Sequence, residues 1–118
     1  MKNGRIELGT QGENLAVQFL QKQGYKILQR NFRSRHGEID IICARAHIIA
    51  FVEVKTRTTA SYGSPEEAIT KTKKQHIQKV ALDYLETCPQ SFQEIRFDVI
   101  GIFIEGGRHR INHLPAAF

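Results

Sequence analysis

The most regular patterning in the chain runs from Gly37 to Arg57, GEIDIICARAHIIAFVEVKTR. Apolar and polar positions alternate in two runs, residues 37–43 and 48–56, with only a few residues between them. A period of two marks half-buried strands, and two runs this close predict a β-hairpin. A turn centred on Ala46-His47 sets Asp40 across from Glu53 and Glu38 across from Lys55. All four then share one face with Ile42 and Phe51, while Ile39, Ile41, Cys43, Ala50, Val52 and Val54 make the other face wholly apolar. Like charges facing each other across strands destabilise a sheet. The Asp40–Glu53 pair therefore calls for a reason other than folding.

The flanking pattern supplies the remaining elements. Residues 1–9 read as a flexible arm. From Thr10 a helix is predicted, with Leu15, Ala16, Phe19 and Leu20 on one stripe and Gly24 as its terminator. Glu13 falls in its first turn, where a carboxylate complements the helix dipole, and its spacing to Ala16 and Val17 leans it toward the buried side. Residues 25–32 alternate loosely as a first strand, and residues 34–37 form a polar turn into the hairpin. Residues 58–63 are small and polar, as in a mobile loop. A second helix is marked by Ser64 as N-cap, Pro65 at the first helical position and Glu67 three after the cap, a capping box. Ile69, Ile77, Val80, Ala81, Tyr84 and Leu85 form its buried stripe, and Pro89 forbids continuation. Residues 95–104 are apolar and β-branched, predicting a central strand buried on both faces. Gly106-Gly107 is a turn before a short edge strand over residues 110–114. The order predicts one α/β domain spanning residues 1–118, a mixed sheet with a central β-hairpin flanked by helices.

Composition changes this picture little, and charge changes it more. With 41% hydrophobic and 25% charged residues the chain is ordinary for a soluble domain, without a transmembrane or secretory pattern, so a cytoplasmic location and no membrane partner are expected. Cys43 and Cys88 form no CxxC and are expected to be reduced and structural. The net charge of +5 is concentrated early: residues 1–60 hold ten Lys or Arg against five acids, and residues 61–118 hold seven of each. Lys22, Lys26, Arg30, Arg33 and Arg35 follow one another with no acid between them. A basic concentration beside carboxylates points to a polyanionic partner such as nucleic acid; the plainer reading is a charge that keeps the domain soluble.

Opposed Asp40 and Glu53 would have Cβ atoms roughly 4.5–5.5 Å apart, close enough to share a cation. Hard oxygen ligands suit Mg²⁺ or Mn²⁺, which take one or two protein carboxylates beside substrate phosphate. Lys55 projects from the same face and is placed to orient a water or to stabilise charge on phosphate. Glu13 would add a carboxylate if its helix packs over the hairpin. Lys71, Lys73 and Lys74 sit in early helical turns, where positive charge opposes the dipole, and a phosphate-facing role accounts for them as well as a solvated face does. The plain alternative for the hairpin is a charged surface on which Glu38 and Lys55 pair. No nucleophile triad, P-loop or GxGxxG is present, and the five histidines show no zinc spacing. His109 and His113 read as surface residues.

These residues together resemble the YraN family of small bacterial proteins, which is similar to archaeal Holliday junction resolvases and to the wider restriction-endonuclease-like PD-(D/E)xK class. The resemblance spans nearly the whole chain. It is carried by Gly12-Glu13 with Ala16, Arg30-Asn31-Phe32-Arg33, Gly37-Glu38-Ile39-Asp40, Phe51-Val52-Glu53-Val54-Lys55-Thr56-Arg57, Lys73, and Arg96-Phe97-Asp98-Val99. It implies a nuclease core in which Asp40 and Glu53 bind the metal, Lys55 is the catalytic lysine and Glu13 is the additional helix acid. Ile39 stands where the class has proline, and Arg45-Ala46-His47 replaces the Asp-Gly frequent at the family's hairpin tip.

Two functions from different classes follow. One is a Mg²⁺- or Mn²⁺-dependent endonuclease acting on DNA, including branched or structured DNA. In that reading Arg33, Arg35, Arg57, Lys71, Lys73 and Lys74 hold phosphates. A resolvase-like enzyme that cuts two strands symmetrically is expected to form a homodimer. The other is a non-catalytic nucleic-acid-binding module that keeps the nuclease fold. The intact acid–acid–lysine set favours the first, because a pure binder would gain by losing carboxylates that repel phosphate.

Overall fold

The computed structural model describes residues 4–58 and 69–118. Its elements run α1 (Gly4–Lys22), β1 (Lys26–Ser34), β2 (Gly37–Arg45), β3 (Ile48–Arg57), α2 (Lys71–Thr87), β4 (Glu94–Glu105) and β5 (Arg108–Leu114). The five strands form a single mixed sheet in sequence order. β1, β2 and β3 are antiparallel, β3 and β4 are parallel, and β4 and β5 are antiparallel. Because β3 and β4 run the same way, the chain has to cross over between them, and α2 lies in that crossover.

Alternation along the hairpin decides which helix covers which face. Ile41, Cys43, Ala50 and Val52 pack with Ala16 and Leu20 of α1. Ile42, Ile49 and Phe51 pack with Ile77, Val80 and Ala81 of α2. The mixed sheet is thus closed on both faces, as the patterning predicts. Ile39 departs from it: it joins the α2 side beside Phe32, not the α1 side with Ile41. Across from this slip, between the pairs Arg30↔Ile41 and Phe32↔Ile39, Asn31 takes the left-handed conformation with φ of 52°. Asn tolerates that region better than most residues. The break in phase falls at Asp40.

α1 begins earlier than its periodicity suggests, since residues 4–9 are helical and not an arm. It ends as expected at Gly24, whose φ of 91° suits a residue without a Cβ. Gly12 has a different task. A Cβ there would overlap the side chain of Thr56, so glycine lets α1 lie directly against β3.

The Ser64–Glu67 capping box and most of the polar loop at residues 58–63 lie outside the described residues. α2 itself starts at Lys71, capped by Thr70, whose side chain accepts a hydrogen bond from the Lys73 N–H at 3.1 Å. Ile69 is therefore buried ahead of the helix and not on its stripe. The central strand is β3; β4 is next to the edge, fully buried only through its middle, with Ile95 exposed. β5 is the edge strand that residues 110–114 predict, two residues longer at its start. Both cysteines are free, and burial pushes the Cys43 thiol up to about 12, so it serves as an inert core residue. No helix among the described residues is long and apolar enough to cross a membrane.

Candidate active site at the strand fork

The β2–β3 ladder has the predicted register, Ile41↔Val52 through Arg45↔Ile48, turning at Ala46-His47. Continued one step, it sets Asp40 opposite Glu53, but the ladder stops there. β2 goes on to pair with β1, through Arg33↔Glu38, while β3 goes on to pair with β4, through Lys55↔Gly101. The two strands fork, and Asp40 and Glu53 stand in the crotch. Glu38 and Lys55 are carried onto opposite prongs, so they do not pair. Glu38 is bound instead by Arg33, at 2.7 Å.

The fork is what lets two acids meet. One Asp40 oxygen accepts the N–H of Val54 at 2.8 Å, filling the place of a lost ladder bond. The Asp40 carboxyl also lies within hydrogen-bonding reach of that of Glu53, which favours the protonated form of Asp40 and the ionised form of Glu53. Burial, the Glu53 contact and the Glu53 charge together raise Asp40 to about 8, against the pull of the Val54 N–H. Burial works against ionisation of Glu53 too, but the proton on Asp40, with Lys73 and Lys55, outweighs it and holds Glu53 below the ordinary range.

Two lysines complete the group. Lys73, from the first turn of α2, places Nζ 2.8 Å from Glu53 Oε2, and Lys55 places Nζ 4.0 Å from the same oxygen. The two amines lie close enough to influence each other's ionisation. Burial and the neighbouring Lys73 pull Lys55 below its ordinary value, whereas contact with Glu53 and Lys55 overcomes burial and raises Lys73. A cleft of about 250 Å³ opens onto the carboxyls, lined by residues that include His36, Glu38, Asp40, Glu53, Lys73 and His76.

Glu13 approaches from the other side of the sheet. It lies near enough for its charge to favour the protonated form of Asp40. Its Oε1, however, accepts from Arg30 at 3.2 Å and from Asn31 at 3.0 Å. The left-handed Asn31 thus ties α1 to the strand beside Asp40. Among the described residues no three His, Cys, Asp or Glu side chains cluster closely enough to hold a metal ion. The donor set that does fit a hard divalent cation is the Asp40–Glu53 pair, with a proton and an ammonium now offsetting its charge.

The six basic candidates scatter. Lys73 enters the site. Arg33 is committed to Glu38, and Arg35 is exposed in the turn at the cleft's edge. Arg57 bonds the carbonyl of Thr56. Lys71 is exposed, and Lys74 lies over the Phe118 ring, 5.6 Å from its centroid.

Sequence reasoning gives His36 and His76 no role, yet both line the cleft, His36 with Nδ1 2.8 Å from Asp83. It also misses a second buried acid. Asp98, fully buried in β4, accepts two hydrogen bonds from Arg96 at 2.9 Å each and one from the Ala116 N–H at 3.0 Å, and lies 2.8 Å from His113 Nε2. Arg96 bonds Tyr25 as well. His113 is therefore part of the interior, not a surface residue, while His109 is exposed. Its sequence signs, an acid inside an apolar run and the Arg96-Phe97-Asp98-Val99 of the resemblance, point to neither His113 nor Ala116 as a partner.

Comparison with known proteins agrees with the family that the motifs resemble. The uncharacterised protein family UPF0102 matches residues 12–102. A UPF0102 protein of Syntrophomonas wolfei is 52% identical over 112 residues, covering 95% of this chain and 97% of its own. One from Geobacter metallireducens is 50% identical, covering 94% and 91%, and one from Pelobacter propionicus is 49% identical, covering 93% and 81%. The chain belongs to the UPF0102 family, the YraN family of the resemblance.

Proposed function

We propose that this UPF0102 protein is a metal-dependent endonuclease of the restriction-endonuclease-like PD-(D/E)xK class, hydrolysing phosphodiester bonds in DNA, branched or structured DNA included. One observation carries the reading: two carboxyls in contact at a strand fork, at the base of an open cleft, with two lysines on one of their oxygens. A fold seeking stability alone would not build this, because like charges opposed across strands are costly. A site that receives Mg²⁺ or Mn²⁺ would.

Asp40 and Glu53 would hold the ion, which when bound supplies Lewis-acid polarisation of the phosphate and acidifies water. The Val54 N–H fixes the orientation of Asp40, leaving its remaining lone pairs for the cation. Lys55, one strand position pair beyond Glu53, orients the attacking water, and its depressed ionisation equips it to take a proton. Glu13 acts at one remove, fixing Arg30 and Asn31 beside Asp40. Exposed Arg35 and Lys71 meet the DNA backbone, and Arg33 and Arg57 extend that surface.

The test is incubation of the protein with supercoiled, linear, single-stranded and four-way-junction DNA, with Mn²⁺, Mg²⁺ or chelator. Cutting that needs the metal and disappears in Asp40→Ala and Glu53→Ala is the expected result. Absence of cutting on every substrate, or cutting that survives those substitutions, sinks the enzyme reading. The commitment of Glu13 to Arg30 favours a second reading, a nucleic-acid-binding module without catalysis. Binding without cutting, weakening steeply with salt, would select it.

A further inference from the structure

Of the two lysines at Glu53, one faces the cleft. Lys55 is 18% exposed and is not among the residues lining the cleft. Lys73 is 42% exposed and does line it. Its backbone is anchored, because its N–H is bonded to the Thr70 cap, so the flexible side chain alone is free to move. That side chain now occupies Glu53 Oε2, an oxygen that a divalent ion seated on Asp40 and Glu53 needs. An ammonium and a divalent ion sharing one oxygen would repel strongly in so enclosed a place.

We propose that Lys73 is the built-in counter-cation of the Asp40–Glu53 pair, yielding Glu53 to an incoming divalent ion and turning its ammonium to the phosphate in the cleft. The phosphate half rests on the nuclease reading, while the exchange at Glu53 stands without it. Lys73 is thereby more than one basic residue among six. It keeps the acids apart from other cations, and the same ion that loads the site frees it to bind substrate. The neighbouring Lys74 provides an internal control, since it has the same charge one residue on but lies against Phe118 and not Glu53.

Mn²⁺ binding to the full chain, followed by calorimetric titration, tests the exchange. Lys73→Met is expected to bind Mn²⁺ about tenfold tighter than wild type, having lost the competing hydrogen-bonded charge. Lys73→Arg should stay closer to wild type, and Lys74→Met should change affinity by less than about twofold, as screened charge alone would. With saturating Mn²⁺, Lys73→Met should cut DNA about a hundredfold more slowly. Tighter metal binding with slower cutting is a combination that a merely damaged fold would not give. Equal or weaker Mn²⁺ binding by folded Lys73→Met overturns the proposal, as does an equal gain in Lys74→Met. If wild type cuts no DNA, the nuclease reading and the phosphate role fall together, and the Mn²⁺ comparison still decides the exchange.

Discussion

The domain buries carboxyl groups in two places, and it treats them in opposite ways. Asp98 is fully buried, and four hydrogen bonds from three partners surround it: two from Arg96, one from the Ala116 N–H and one with His113. Burial alone would push its carboxyl up, but His113, Arg96 and the Ala116 N–H outweigh it and hold it below the ordinary range. Asp40 has one backbone donor and a second carboxyl, and its affinity for protons rises to about 8. Both are aspartates on strands of one sheet. Asp98 has its acceptor capacity filled by the fold, tying β4, β5 and the segment after β5 together. Asp40 keeps capacity in reserve, with a proton standing where a cation could. A fully partnered buried acid is architecture; a pair with acceptor capacity to spare, opening onto a cleft, is a candidate site.

The largest effect should come from breaking the satisfied acid. Asp98→Ala leaves Arg96 and His113 buried without their partner and is expected to cost about 3–5 kcal/mol, measured by urea unfolding. A loss under about 1 kcal/mol would mean that the network is not architectural. The same contrast has a pH signature. The folded value of Asp98 lies below its ordinary 3.8, so its contribution is present above that pH and is lost as the pH falls through the folded value. Wild type should lose stability steeply in acid below about pH 4, and Asp98→Asn should show a shallower loss there.

Asp40→Asn should behave in the opposite sense. Replacing an acid that the fold keeps protonated should change stability by less than about 1 kcal/mol near pH 4, where the unfolded chain is largely protonated too. Between the ordinary 3.8 and about 8 the unfolded chain releases this proton while the folded chain keeps it. Wild type should therefore lose stability relative to Asp40→Asn across that window, level off above about 8, and be the less stable of the two at pH 9. A destabilisation by Asp40→Asn as large as that from Asp98→Ala would erase the distinction between the two regions. The smallest effect belongs to the tether of α1 to β1. Arg30, 38% exposed, holds Glu13 in a pair screened by solvent, so Arg30→Gln should cost no more than about 1 kcal/mol by the same unfolding assay.

The hairpin and its register were legible because alternation over two neighbouring runs leaves few other pairings, and with the register came the meeting of Asp40 and Glu53. The fork was not legible. Whether β2 leaves β3 at Asp40 depends on the competing partner β1, whose own irregularity rests on the left-handed Asn31 and a bulge between Ile27 and Gln29. That is why Glu38 was matched to Lys55 although Arg33 holds it. Lys73 was visible as a basic residue at a helix start, but its direction depends on Thr70 being the cap, and Ser64-Pro65 is the stronger local signal. Asp98 was hidden because, beside Arg96 two residues away, its partners come from distant positions, His113 fifteen residues away and Ala116 eighteen. The helical stripe of α1 was plain, but its first turn at residues 4–9 is too polar to signal itself.

The central claim is that Asp40 and Glu53 form a cation site and not a charged surface. Calorimetric titration of Mn²⁺ into wild type, Asp40→Asn and Glu53→Gln tests it most directly. One ion per chain is expected to bind wild type, with binding lost in both variants while each remains folded. No binding to wild type, or binding unchanged in either variant, would contradict it.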